Sequence, residues 1–224
     1  MLPVSFTSTP SLDAHRAAVA RLESAGYRAA WVNEVIGKDA LVQVAVLLAA
    51  TREMVFGTSI ANIWVRPAPT MSAGAAQLAQ AYPGRFVLGL GVGYPEQAAA
   101  VGRSFGSPVV TMRAYLEEMD VPTQPPVPSV AYPRLIAANG PRMLALAGES
   151  ADGAVPAGQS AERTAAAREA LGAGKLLVVG TGPAFAAEHL AAGADHVLVM
   201  LDRGIDYEEG VAQFERLAPE LTVL

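Results

Sequence analysis

The chain has 224 residues, of which 17% are charged, and its 16 Lys and Arg against 21 Asp and Glu give a net charge of −5. That excludes a general nucleic-acid binder, which needs a basic footprint, and the 52% hydrophobic content excludes a charge-rich disordered chain. The absence of cysteine excludes disulfides and thiolate metal sites and fits a reducing compartment.

Short β-branched runs alternate with Ala-rich helical stretches along the chain. Leu2-Pro-Val-Ser-Phe6 reads as a first strand, and Ser11-Leu-Asp13 opens a helix with a hydroxyl or carboxylate to cap its free N–H groups. That helix runs through Leu22 and stops at Gly26, a left-handed exit. Ala29 to Val32 is a second strand, followed by a loop from Asn33 to Lys38 and a buried apolar helix from Ala40 to Ala50. Met54 to Ile60 is a third strand. Pro67 and Pro69 start a helix from Thr70 to Ala81, and Arg85 to Leu90 is a fourth strand. Helices follow from about Glu96 to Val101 and from Val109 to Met119. The proline-rich connector Val121 to Pro133 is too short for a domain linker and wraps the surface. Arg134 to Ala138 is the fifth strand, Pro141 to Glu149 a helix, and Asp152 to Val155 the sixth strand. Glu162 to Leu171 is a helix, Lys175 to Val179 the seventh strand and Pro183 to Ala192 a helix. Asp195 to Met200 is the eighth strand, with a closing helix near Tyr207 to Leu217.

Eight strands alternating with helices predict an α/β fold, a compact (β/α)8 TIM barrel, since such barrels typically take about 250 residues. The rival is an open doubly wound sheet. The barrel is preferred because the units continue to the C-terminus, so a single domain over residues 1–224 is expected. The N-terminus shows no secretory pattern, and the longest apolar stretch is broken by Gln43 and falls short of the roughly 20 residues of a membrane span. The expected setting is cytoplasmic, with neither membrane nor nucleic acid as a partner.

In such a barrel, function lies at the C-terminal ends of the strands. Asn139-Gly-Pro-Arg142 is the most informative segment there. A strand runs into Asn-Gly, and Pro141 takes the first helical position. The helix N-terminus then offers N–H groups to an anion. Gly140 permits close approach to the backbone, and Arg142 adds charge-assisted bonds. A plain tight turn explains the same residues equally well. Gly89-Leu-Gly-Val-Gly93 resembles a dinucleotide loop only superficially, because Glu96 stands where the third glycine would fall. Gly180-Thr-Gly-Pro183 follows the seventh strand, a common phosphate position in barrels, or is merely a shortened connection.

No constellation for covalent or metal catalysis stands out. His15 and His189 fall inside helices, His196 starts a strand at the wrong end of the barrel, and no pair has metal-ligand spacing. Lys175 begins its strand and Lys38 lies in a loop, which argues against a Schiff-base lysine. There remains a site of backbone groups and apolar walls, with Glu34, Asn62, Trp64 and Tyr94 as its polar or aromatic side chains. Sites of that kind hold a cofactor that carries the reactivity itself.

The runs Gly26 to Glu34, Phe56 to Ile60 and Gly84 to Gly93, with Asn139 to Gly153 behind them, resemble the bacterial luciferase-like superfamily. The likeness is greatest to its deazaflavin (coenzyme F420)-dependent oxidoreductases. It covers Leu2 to about Leu171 and resumes at Ala191 to Val199. The resemblance implies a barrel with a deazaflavin or flavin ring at its mouth, F420 being favoured and FMN the alternative. It implies a non-proline cis peptide at Ser59-Ile60 behind the ring, with the Ser59, Ile60, Ala61 and Asn62 bulge beside it. Gly91 and Gly93 match the loop next to the cofactor, and Asn139, Gly140 and Pro141, with Arg142 behind them, match the turn that holds its phosphate. Homodimers are typical of the family, and the helices 40–50 and 70–81 would gain a surface to cover.

Two departures from the pattern stand out. Many members place a histidine just after the second strand, whereas this chain has Asn33-Glu-Val-Ile36, leaving Glu34 either as the proton-handling catalytic residue or as a carboxylate with no chemistry. Members also make a long excursion between the seventh and eighth strands, whereas Gly180 to Ala194 crosses in one short helix. The expectation is therefore an oxidoreductase transferring hydride between F420 (or FMN) and a small organic substrate. The alternative is a cofactor-binding protein without turnover. A barrel isomerase or aldolase lacks the required lysine or carboxylate pair.

Overall fold

Helices in this chain begin where a polar side chain or a proline deals with the free N–H groups of the first turn. The computed structural model describes residues 1–3, 10–35, 37–202 and 204–224. Its first elements are α1 (Leu12–Ser24), β1 (Ala29–Val32), α2 (Ala40–Ala49), β2 (Val55–Thr58), β3 (Ala61–Asn62), α3 (Ala68–Ala81) and β4 (Phe86–Gly91). Then come α4 (Pro95–Ala100), α5 (Pro108–Met119), β5 (Arg134–Ile136), α6 (Pro141–Ser150), β6 (Gly153–Ala154) and α7 (Ala161–Leu171). The chain closes with β7 (Leu176–Thr181), a 3-10 turn at Pro183–Phe185, α8 (Ala186–Ala191), β8 (His196–Val199) and α9 (Tyr207–Leu221). Ser11 caps α1 by accepting from the Ala14 amide, Asp39 caps α2 through Val42, and Asp206 caps α9 through Glu208 and Glu209. Prolines occupy the first turns of α3, α4, α5 and α6.

All strand pairs are parallel, in the order β1-β2-β4-β5-β6-β7-β8, with β3 paired to β4. The two ends of that path are brought together by the first residues of the chain. The Met1 amino group donates to the Val199 carbonyl at 2.5 Å, and the Leu2 amide donates to the Trp31 carbonyl at 2.9 Å. Sequential order with joined ends is the topology of an α/β TIM barrel and excludes the doubly wound sheet. Of the expected first strand, Val4 to Phe6 lie outside the described residues. Among those described, no helix is long and apolar enough to cross a membrane.

Strand alternation divides the core in two. Trp31, Leu135, Val155, Val178 and Leu198, with Val87, Met1 and Met200 against them, fill the barrel interior. The other faces, including Val32, Phe56, Leu88 and Ile136, pack under the helices in one continuous cluster. The Trp31 ring fits because β2 carries no side chain at Gly57, where a Cβ would fall 2.3 Å from the ring.

The third expected strand divides into β2 and β3 at Ser59-Ile60, a break that no residue type there announces. The closing helix runs to Leu221, past Pro219. Proline in a last turn lacks one amide bond but does not stop the helix, which closes with the Thr222 amide on the Ala218 carbonyl.

A cavity of about 260 Å³ opens at the base of the barrel, between β1 and β8, lined by Tyr27, Trp31, His196, Leu198 and Phe214 among others. It lies at the end opposite the strand C-termini, away from the turns at Gly91, Gly93, Gly140 and Gly180.

Replacing Gly57 with Ala is expected to cost about 1–3 kcal/mol, because an overpacked core must move a bulky ring. A lowered urea midpoint at unchanged slope would show it; an unchanged midpoint would contradict the packing.

Candidate active site

Alternation along β1 points Trp31 into the barrel and Val32 toward the helices. Asn33 therefore returns to the barrel axis, at the C-terminal mouth. On either side of it the backbone bonds to the next segment. The Ser59 amide donates to the Val32 carbonyl at 2.7 Å, and the Glu34 amide donates to the Ile60 carbonyl at 3.2 Å. The Ser59–Ile60 peptide between these bonds is cis, as the resemblance implies.

After it, Ala61 and Asn62 pair with Leu90 and Gly91 at the end of β4. A Cβ on Gly91 would stand 2.6 Å from the Ile60 side chain. At Gly93, with φ +54°, one would stand 2.0 Å from Gln97 Oε1. A side chain at Gly91 would displace Ile60, and the positive φ at Gly93 favours glycine, independently of any ligand.

Glu34 faces away from the axis and is buried. Its Oε1 accepts from the Ala40 amide at 2.9 Å and Arg66 Nη2 at 2.5 Å. Its Oε2 accepts from the Asn62 amide at 2.8 Å and Arg66 Nη1 at 2.8 Å. A carboxylate has about four lone-pair sites, and these four donors fill them. Arg66 is 10% exposed and Glu34 only 3%. Arg66 also reaches Asp39, at 2.6 Å, while its carbonyl accepts from the Tyr115 hydroxyl at 2.9 Å. Burial opposes the Arg66 charge, but the bonds to Glu34 and Asp39 raise its pKa above the ordinary value. Asp39 is held below its ordinary value by the same guanidinium, although burial pulls the other way.

Glu34, Asn62 and Arg66 therefore tie together the end of β1, the N-terminus of α2, the segment after the cis peptide and α5. Sequence reasoning missed Arg66 and Asp39. The available signal was a lone basic residue closing the largely apolar stretch from Met54 to Val65.

Lys38 was also passed over. Its Nζ donates to Asn33 Oδ1 at 3.0 Å. Burial pushes the lysine down to about 8, against the attraction of Glu34. Among the described residues it forms no ion pair, because Glu34 and Asp39 are both engaged by Arg66.

The Asn139–Arg142 turn sits separately, where β5 leads into α6. Asn139 Oδ1 accepts from the Ala157 amide, and its carbonyl accepts from Gln159 Nε2, both at 3.0 Å, which links the ends of β5 and β6. No side chain caps α6, and the space a Gly140 Cβ would take is open. Arg142 is exposed and pairs with no carboxylate among the described residues.

Trp64 donates its Nε1–H to the Val92 carbonyl at 2.7 Å and packs near Phe105, whereas Tyr94 is 67% exposed. The three histidines occupy structural places. His15 bonds Tyr207, His189 bonds Thr164, and His196 accepts from Trp31 Nε1 at the barrel base.

Replacing Arg66 with Met would strand the buried Glu34 carboxylate and is expected to cost about 3–5 kcal/mol in chemical denaturation. Adding Glu34→Gln to that variant should restore part of the loss. Equal stability of Arg66→Met and the parent would show that the pair holds nothing together.

The family model described as luciferase-like monooxygenase matches residues 3–120, more than half of the chain. A sequence search of curated proteins finds no match. Several solved structures share the fold. An F420-dependent secondary alcohol dehydrogenase, solved with an F420-acetone adduct, is 16% identical with a TM-score of 0.71, over 91% of this chain and 93% of its own. The coenzyme F420-dependent tetrahydromethanopterin reductase of Methanopyrus kandleri is 15% identical with a TM-score of 0.74, over 95% of both chains. A monooxygenase from Streptomyces bottropensis is 14% identical with a TM-score of 0.74, over 98% of this chain and 96% of its own.

Proposed function

The chain belongs to the luciferase-like monooxygenase family, and from that premise we propose that it is an oxidoreductase using coenzyme F420, or alternatively FMN, to transfer hydride to or from a small organic substrate. One observation carries the reading: the Ser59–Asn62 segment sits at the barrel mouth, bonded to both flanks of Asn33 and held from behind by a saturated Glu34–Arg66 pair. A backbone segment locked in this way is a preformed wall for a flat ring.

The Asn139 turn fits the cofactor's phosphate. Gly140 leaves open space beside an uncapped helix N-terminus, and Arg142 has its charge free of any described carboxylate. When bound, the deazaflavin or flavin supplies two-electron hydride chemistry. The chain's residues then have binding and orienting roles. Ser59, Ile60, Ala61 and Asn62 back the ring, with Gly91 and Gly93 letting the β4 loop close against them. Asn139, Gly140, Pro141 and Arg142 hold the phosphate.

Glu34 acts as a positioning residue on this reading, since all its hydrogen-bonding capacity is spent on Arg66 and two backbone amides. Pairing into homodimers through α2 and α3 belongs to the same reading and is tested by sedimentation.

A second reading, a cofactor-binding protein without turnover, draws on a specific observation. Between β7 and β8 there is only the 3-10 turn and the six-residue α8. That connection is too short to form a lid over the mouth, and water exclusion protects reactive intermediates.

Fluorescence titration with F420 and with FMN tests the shared part, and cofactor absorbance in the presence of candidate alcohols and ketones separates the readings. Saturable binding of one cofactor is expected, and Arg142→Ala should weaken it about tenfold, the loss of one charge-assisted bond. Failure of both cofactors to bind would overturn both readings.

A further inference from the structure

The two ends of the strand path, β1 and β8, face each other across the basal cavity. On β1, the Arg28 and Val32 carbonyls point to β2 and its continuation, where the amides of Val55 and Ser59 donate to them. Strand alternation therefore turns the backbone groups of Ala29 and Trp31 toward β8. At the end of β8, Met200 donates its amide to the Thr181 carbonyl of β7, which turns Val197 and Val199 toward β1. Among the described residues, the backbone bonds across this seam are Leu2 to Trp31 and Met1 to Val199. Below them, the Ala29 and Val197 carbonyls and the Trp31 and Val199 amides have no backbone partner among the described residues.

Unpaired amides and carbonyls on two facing edges are a template for one more strand. The cavity walls suit the side chains of such a strand. The barrel side presents Trp31 and His196, and Trp31 Nε1 donates to His196 Nε2, which leaves the imidazole uncharged. The helix side presents Leu22, Leu190 and Phe214. The charged residues at the rim are engaged elsewhere, Arg28 with Glu53 and Asp195 with Arg168. At the upper end stands the Met1 amino group, which burial holds down to about 5 and which pairs with no carboxylate among the described residues.

We infer that this cavity is a peptide-binding slot, taking one short extended segment parallel to β1 and β8 with its C-terminal carboxylate at Met1. The segment is independent of the cofactor reading, because it binds at the opposite end of the barrel. Its last residue repeats the bonding of Leu2 two positions lower, with its amide on the Ala29 carbonyl and its carbonyl on the Trp31 amide. The residue before it repeats Met1, with its amide on the Val197 carbonyl and its carbonyl on the Val199 amide. Leu2 packs on the helix side and Met1 on the barrel side. The same alternation calls for a large apolar side chain, a small one and a second large apolar one, about three residues spanning roughly 10 Å. The carboxylate supplies the anion that the buried amino group lacks.

Isothermal titration of the full chain with acetyl-Leu-Ala-Leu, free at its C-terminus, should show saturable binding. Acetyl-Leu-Pro-Leu lacks the amide directed at Val197 and should bind about tenfold more weakly. Decanoate has the apolar bulk and the carboxylate but no amide, and it should bind no better than the proline peptide. With acetyl-Leu-Ala-Leu present, hydrogen exchange should slow at the Trp31 and Val199 amides and stay unchanged at residues 59–66. A chain lengthened by Leu-Ala-Leu ahead of Met1 carries the segment covalently. It should lose peptide binding and unfold at a higher urea concentration than the parent.

Absence of binding by the parent would overturn the inference, and so would binding without protection at Trp31 and Val199. Equal affinity for decanoate and the peptide would reduce the slot to a plain apolar pocket and overturn it as well. Undiminished peptide binding by the lengthened chain would place the peptide elsewhere, with the same consequence. Circular dichroism on the lengthened chain confirms that its fold is kept, so lost binding cannot be confused with unfolding.

Discussion

The buried pair of Arg66 and Glu34 is the contact on which the rest of the mouth depends. A guanidinium and a carboxylate are both costly to bury, and they remain buried because each satisfies the other while two backbone amides fill the remaining oxygen sites. The same four bonds join β1, α2 and the segment after Ser59–Ile60. α2 follows β1 directly, whereas the segment after Ser59–Ile60 lies 28 to 32 residues beyond Glu34. Such a pair contributes geometry more than net stability, which suits a place where a wall must stand at one position.

Around that anchor the chemistry divides by side of the strand. Residues on the helix side of β1 serve the scaffold, whereas Asn33, on the axial side, accepts a hydrogen bond from the Lys38 ammonium. Across the barrel the Asn139 turn offers open backbone and an arginine that pairs with no carboxylate among the described residues. The barrel interior is filled by Trp31 and its neighbours, so nothing passes through it to the cavity at the base. That cavity has a mixed lining that includes Arg28, Asp195 and His196, lies at the opposite end from the mouth, and its size alone does not make it the site of chemistry.

The strand and helix alternation from Ser11 onward was legible because most strands are short β-branched or apolar runs and most helices open with Ser, Asp or Pro, α8 after Phe185 being an exception. The glycine turns at Gly91, Gly93 and Gly140 were legible as places without side chains. At two of them the structure gives a packing reason that sequence alone could not supply, since it depends on where Ile60 and Gln97 sit. The role of Glu34 was not legible. Its partner Arg66 lies far along the chain, and a carboxylate after a strand reads the same whether free or saturated. Lys38 read as a loop lysine because only the fold turns its ammonium back toward Asn33. The division of the third strand into β2 and β3 was not legible in the residue types, since Ser59 and Ile60 have ordinary strand chemistry; only the family resemblance pointed to an irregularity there.

Backbone hydrogen exchange with and without added F420 or FMN would test most directly whether the mouth is a cofactor site. If it is, exchange should slow at residues 59–66 and 139–143 and remain unchanged around the basal cavity, at residues 27–31 and 195–199. Protection confined to the base, with the cis-peptide segment and the Asn139 turn unaffected, would contradict it.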